Sequence, residues 1–199
     1  MSTLPKDIYP DSGCRLPLPK RDDMDDYEKK VYDKRVDPGR RSMVGLRGPG
    51  GIHLHSPRLA EHSTALNRYL RFESGLSGPM RELAILVIAR EMDSQFEWTA
   101  HEPEALKEGL SQEIIDIVKY RGNVAELPET EAVIIQFGRE MLRNKKVASE
   151  TFAHALKIFG SKQLVALVSL MANYSATAVV LHAFDMQVDP DKKPLLPLP

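Results

Sequence analysis

The sequence predicts an all-α protein, a bundle of about seven to eight helices that associates with copies of itself. Three observations predict it. Apolar residues recur at helical spacing from Pro57 to Phe184, capping and breaking residues bracket each periodic stretch, and no stretch alternates with the two-residue period of a strand. Short connections between consecutive helices favour antiparallel neighbours, which is the geometry of a bundle.

Residues 1–20 are proline-rich and aperiodic and read as an arm over the surface or over a neighbouring subunit. Cys14, set among Pro10, Gly13, Pro17 and Pro19, is expected in flexible chain rather than in a packed element. The helical domain spans residues 21–189. It opens with DDMDDYEKKVYDKRV, from Asp22 to about Val36, whose acids come first and bases last, as the helix dipole favours. The next stretch, Asp37 to Ser56, holds five glycines and two prolines and reads as a covering loop.

Ser56 and Pro57 then start a helix that places Leu59, Leu66, Tyr69 and Leu70 on one face through about Glu73. SGLSGP breaks it, and Pro79 opens a helix whose Leu83–Ala89 segment, LAILVIA, is apolar on every side and therefore central. Asp93 or Ser94 begins a helix that Gly109 ends. Ser111 begins one that Gly122 and Asn123 stop, and Pro128 to Asn144 forms another with Ala132, Ile135, Phe137, Met141 and Leu142 at helical spacing. Ser149 to Phe159 is a short helix, separated by Gly160 and Ser161 from a long apolar one. Pro190, Pro194 and Pro197 exclude further helix, so residues 190–199 form a proline-rich tail.

A chain of 199 residues with 42% hydrophobic content supports one substantial core. Its 27 basic and 28 acidic side chains nearly cancel, so no global field concentrates nucleic acid or an anionic membrane. Leu164 to Phe184 carries no charged side chain, but Asn173, Tyr174 and His182 would need partners in lipid, so a buried or intersubunit helix is expected rather than a membrane span. The opening MSTLPKDIYP lacks the pattern of a secretory signal, and cytoplasmic residence is the expectation. With a single cysteine, neither an intramolecular disulfide nor a CxxC pair can form.

The polar constellation is SQFEWTAH, in which Glu97 and His101 are four residues apart and share a helix face. A carboxylate one turn from an imidazole orients the ring and holds its proton, which makes a proton-transfer pair. Glu104 extends the acidic face, and Glu82 lies one turn into the preceding apolar helix. Such pairs are also common on ordinary solvated helices, and an acid after Pro79 gains from the helix N-terminus. Trp98 is more often a core anchor than a stacking platform.

The run RELAILVIAREMDSQFEWTAHEPEALKEGLS resembles the signature region of the carboxymuconolactone decarboxylase and alkylhydroperoxidase D-like (AhpD-like) family, and a weaker resemblance extends from about Tyr27 to Asp189. In the peroxidase branch a glutamate twelve residues upstream serves a Cys-x-x-Cys pair, with a histidine four residues beyond it. On this chain the resemblance places the glutamate at Glu82, the cysteines at Ser94 and Glu97, and the histidine at His101. A thiol peroxidase cycle needs both thiols, so the match is to the thiol-free branch.

The resemblance implies an AhpD-like bundle, a trimer or hexamer with a dimer as the lesser form, and no cofactor. It also implies a lyase of the carboxymuconolactone decarboxylase kind, acting by acid/base proton transfer on a small lactone or organic acid. Glu82, Glu97 and His101 are then the catalytic residues, and Ser94, Trp98, Arg81 and Arg90 bind the substrate, with Arg71 a further cation for a substrate carboxylate. A hydroperoxidase relative and a non-catalytic ligand-binding oligomer are the alternatives. His53 and His55 in GIHLHSP alternate like metal ligands but lack a neighbouring carboxylate, so no metal site is expected. GLRGPGG matches no phosphate-binding motif, and Tyr174 and His182, eight apart, face broadly alike.

Overall fold

The computed structural model describes residues 4–37, 39 and 45–198. Pro38 and Arg40 to Val44, in the first half of the glycine-rich loop, lie outside the described residues, as do the first three residues of the arm and Pro199 of the tail. Eight α-helices are present among the described residues, in the order α1 (Asp26–Val36), α2 (Pro49–His53), α3 (Pro57–Arg68), α4 (Gly78–Glu91), α5 (Gln95–Lys107), α6 (Gln112–Lys119), α7 (Glu129–Arg139) and α8 (Ser149–Ala183). The only pairing of extended chain among them is an isolated bridge between Tyr9 and Cys14.

α4 is the centre. Every residue from Leu83 to Ala89 is at most 1% exposed, because α5, α6, α7 and α8 surround the helix. Each fully buried leucine, isoleucine or valine contributes about 1.5–3 kcal/mol of transfer free energy, so this helix anchors the core. Its uniform apolarity, which lacks a polar face, is the sequence counterpart of that position.

Local chemistry sets the boundaries. Asp25 and Glu28 form a reciprocal capping box that starts α1, and the Ser111 hydroxyl accepts from the Ile114 N–H to start α6. α3 and α7 each run on into a π-helical turn, Tyr69–Glu73 and Glu140–Asn144, so both helical stretches reach the lengths their periodicity predicts. α8 is broken at Gly160, whose φ of 65° and ψ of 169° belong to a region essentially reserved for glycine. The predicted division between Phe159 and Ser161 therefore stands as a sharp bend.

Several expectations are corrected. Cys14 is 2% exposed and packs with Ile52, Phe96 and Leu181, so this part of the arm is packed rather than loose. Backbone bonds hold it there, from Arg15 N to Phe184 O at 2.9 Å and from Gln187 N to Gly13 O at 2.8 Å. The proline-rich tail also docks, with Leu196 exchanging two bonds with the Gln95 amide at 2.8 and 2.7 Å. The glycine-rich loop contains the short helix α2.

Along α3 and the π-helical turn that follows it, the stripe of Leu59, Leu66 and Tyr69 is exposed in the single chain, and Ala60 and Leu70 turn inward. α8 is long and apolar enough to cross a membrane by length and composition alone, and less than half of its most apolar window is buried within the chain.

Candidate active site

Glu82, in the second turn of α4, is fully buried. A carboxylate in such a place needs compensation, and three groups supply it. His101 Nδ1 lies 2.7 Å from Oε2, Arg81 Nε donates to Oε1 at 3.0 Å, and Arg71 Nη2 reaches Oε1 at 3.5 Å. Burial by itself raises the Glu82 carboxyl, but the bond to His101, the charge on that ring and the arginines outweigh it and hold the group at about 2. Glu82 is therefore ionised, and His101 Nδ1 must be the donor.

That bond decides the ring's other end. In the neutral imidazole Nε2 is left as an acceptor, and it faces Glu97 Oε2 at 3.8 Å, too far for a hydrogen bond. The expected orienting role of Glu97 thus passes to Glu82, which holds the ring from the neighbouring helix. Burial raises the Glu97 carboxyl above its ordinary value, with His101 and Arg71 opposing the shift and Glu82 adding to it. Its Oε2 is buried and has no hydrogen-bond partner. The two glutamates are pushed apart, one toward base and one toward acid, with an imidazole between them.

Tyr174 of α8 completes the wall, its ring edge-on to His101 with centroids 5.2 Å apart and planes at 85°. Burial pushes its phenol well above the usual range, so it stays neutral. His182, eight residues further along α8, is exposed and does not share this site. Arg71 comes from the π-helical turn after α3, and its guanidinium stacks on Phe72 with Cζ 4.9 Å from the ring centroid. No spacing in the sequence links residues 71 and 174 to His101.

The proposed binding residues separate. Arg81 lies in the cluster, donating to Glu82 and to the Arg71 carbonyl at 3.0 Å and pairing with Glu108 at 3.0 Å. Ser94 is buried at the start of α5. Trp98 is in the main core, its indole N–H donating to Glu102, which also accepts from Lys119 Nζ at 2.8 Å. Arg90 lies at the far end of α4, bound to Asp93 at 2.7 Å and to the Pro197 carbonyl at 3.3 Å.

Glu104 pairs with Lys107 at 3.5 Å. His53 bonds Ser63 and His55 bonds the Pro17 carbonyl, and no group of side chains among the described residues has the composition of a metal site.

Residues 57–133 match the sequence profile of the carboxymuconolactone decarboxylase family. Over that segment the chain is carboxymuconolactone decarboxylase-like. Its fold is similar to a crystal structure described as alkylhydroperoxidase AhpD core, an uncharacterized peroxidase-related protein from Ralstonia eutropha JMP134. That likeness has a TM-score of 0.70 at 14% identity and covers 90% of this chain and 94% of the other. No curated protein matches the sequence significantly. The family match includes α4 and α5, so it contains Glu82, Glu97 and His101.

Proposed function

We propose that this protein is a cofactor-independent enzyme of the carboxymuconolactone decarboxylase-like kind that moves a proton on a small lactone or organic acid, with Glu82, His101 and Glu97 as its acid/base machinery. One observation carries the reading: Glu82 fixes His101 at 2.7 Å, while the unpartnered carboxyl oxygen of Glu97 faces the ring's free nitrogen. Glu82 sets the tautomer, His101 Nε2 takes or returns the proton, and Glu97, whose carboxyl burial raises, is a second proton-exchanging group.

For a decarboxylation the bond from carbon to the carboxylate breaks and carbon dioxide leaves. The electron pair remains as a delocalised carbanion, and a proton from the Glu97–His101 pair then forms the new C–H bond. Arg71 and Arg81 are the cations beside the cluster that would face a substrate carboxylate. Glu97 and His101 are each only 5% exposed, so access requires side chains around them to move. The exposed apolar stripe of Leu59, Leu66 and Tyr69, with Phe72 beside it, is proposed as a contact between copies of the chain, and light scattering tests it.

A thiol peroxidase cycle is disfavoured. The two positions that would carry thiols are Ser94 and Glu97, and Cys14 is buried in a separate apolar cluster. Purified wild-type protein, His101→Ala and Glu97→Gln, assayed on a panel of lactones and carboxylic acids, test the proposal. Turnover by the wild type that falls by about 10²–10⁴ in either variant supports it. Equal turnover by all three removes the assignment.

A further inference from the structure

A second feature lies on another face of α5. Phe96, Thr99 and Ala100 form the floor of a cleft of about 220 Å³, walled by Arg47 and by Val188, Asp189 and Lys192 from the chain after α8. None of the acid/base residues lines it. The floor and one wall are apolar through Phe96, Ala100 and Val188, and the charged lining is two cations against one carboxylate.

Arg47 is built into place. Its Nη2 donates to the Pro10 carbonyl, and its Nη1 packs where a Cβ on Gly13 would stand, 2.8 Å from the ideal position. Gly13 also has a φ of 73°, so a side chain there is disfavoured twice. The Gly13 carbonyl accepts from Gln187 N at 2.8 Å, which ties the arm to the segment that supplies Val188 and Asp189. Arg47 Nη1 is buried without a hydrogen-bond partner, an unfavourable state for part of a guanidinium.

We propose that this cleft binds a small organic monocarboxylate with a compact apolar body, such as an aromatic acid. Arg47 and Lys192 receive the carboxylate, while Phe96, Ala100 and Val188 cover the body. The volume is below the roughly 300–1,000 Å³ typical of drug-sized ligands, which restricts the occupant to something near a single ring. The excess of one positive charge matches one carboxylate. The site is separate from the acid/base cluster, and its existence does not depend on the reaction assigned there.

The test is a titration of the full-length wild-type chain with benzoate, followed by calorimetry and by amide chemical shifts, with benzyl alcohol and inorganic phosphate as companion probes. Benzoate is expected to bind with shifts centred on Phe96, Thr99, Ala100 and Val188, and to bind at least about tenfold more tightly than benzyl alcohol. Arg47→Met and Lys192→Met are each expected to weaken benzoate binding, by about tenfold or more for the arginine. Lys192 is exposed, so its variant keeps the test decisive if Arg47→Met unfolds the arm. No saturable benzoate binding, equal affinity for benzyl alcohol, preference for phosphate, or shifts confined to Glu82, Glu97 and His101 would each overturn the proposal.

Discussion

Glu82→Gln isolates the charge at the centre of the cluster, because glutamine keeps the shape and mimics the protonated acid. In the wild type the carboxyl titrates near 4.5 when unfolded and at about 2 when folded. A depressed acid adds stability that is fully present above its unfolded value and is lost as the pH falls through the folded one. The gap between 4.5 and about 2, at about 1.36 kcal/mol per pH unit, corresponds to about 3 kcal/mol at pH 7. Glu82 has no exposed surface, so solvent screening removes little of this.

Urea unfolding of both proteins at pH 7, 5, 4 and 3 measures the difference, and subtraction cancels the carboxylates they share. The variant is expected to be less stable by about 3 kcal/mol at pH 7 and 5, with about 2 kcal/mol of that difference gone by pH 3. A difference below about 1 kcal/mol at pH 7, or one that does not change on acidification, would refute the claim that Glu82 is an ionised hub held by His101 and the arginines.

Glu97→Gln should act in the opposite sense. A folded chain that retains a proton the unfolded chain has lost above about 4.5 loses stability as pH rises toward the raised folded value, so the variant should gain on the wild type in thermal melts as the pH is raised from about 4.5. A constant difference over that rise would show that Glu97 is not protonated in the fold. Lys119→Met leaves Glu102 buried without its cation and should cost about 3–5 kcal/mol in urea unfolding, only part of it recovered by adding Glu102→Leu, because the buried Trp98 indole N–H then loses its acceptor. Gly160→Ala meets no atom within 4 Å, so its expected cost of about 1–3 kcal/mol comes from backbone conformation alone. An unchanged urea midpoint would mean that the bend relaxes freely.

Much of the helical order, the apolar centre at Leu83–Ala89, the bend at Gly160 and the shared face of Glu97 and His101 were legible in the sequence. These features depend on interactions within a few residues, such as side-chain periodicity, caps and the conformational freedom of one glycine. The single cysteine likewise rules out a CxxC pair without any structure.

Tertiary packing decided the rest. It joined Glu82 to His101 across two helices, placed Tyr174 and Arg71 around them, moved Trp98 and Arg90 away, and packed Cys14, in an arm that composition alone marks as loose, against Ile52, Phe96 and Leu181. The physical reason is desolvation. Whether a carboxyl is a base at about 2 or an acid raised above its usual value depends on which groups from distant parts of the chain exclude water from it or neutralise it.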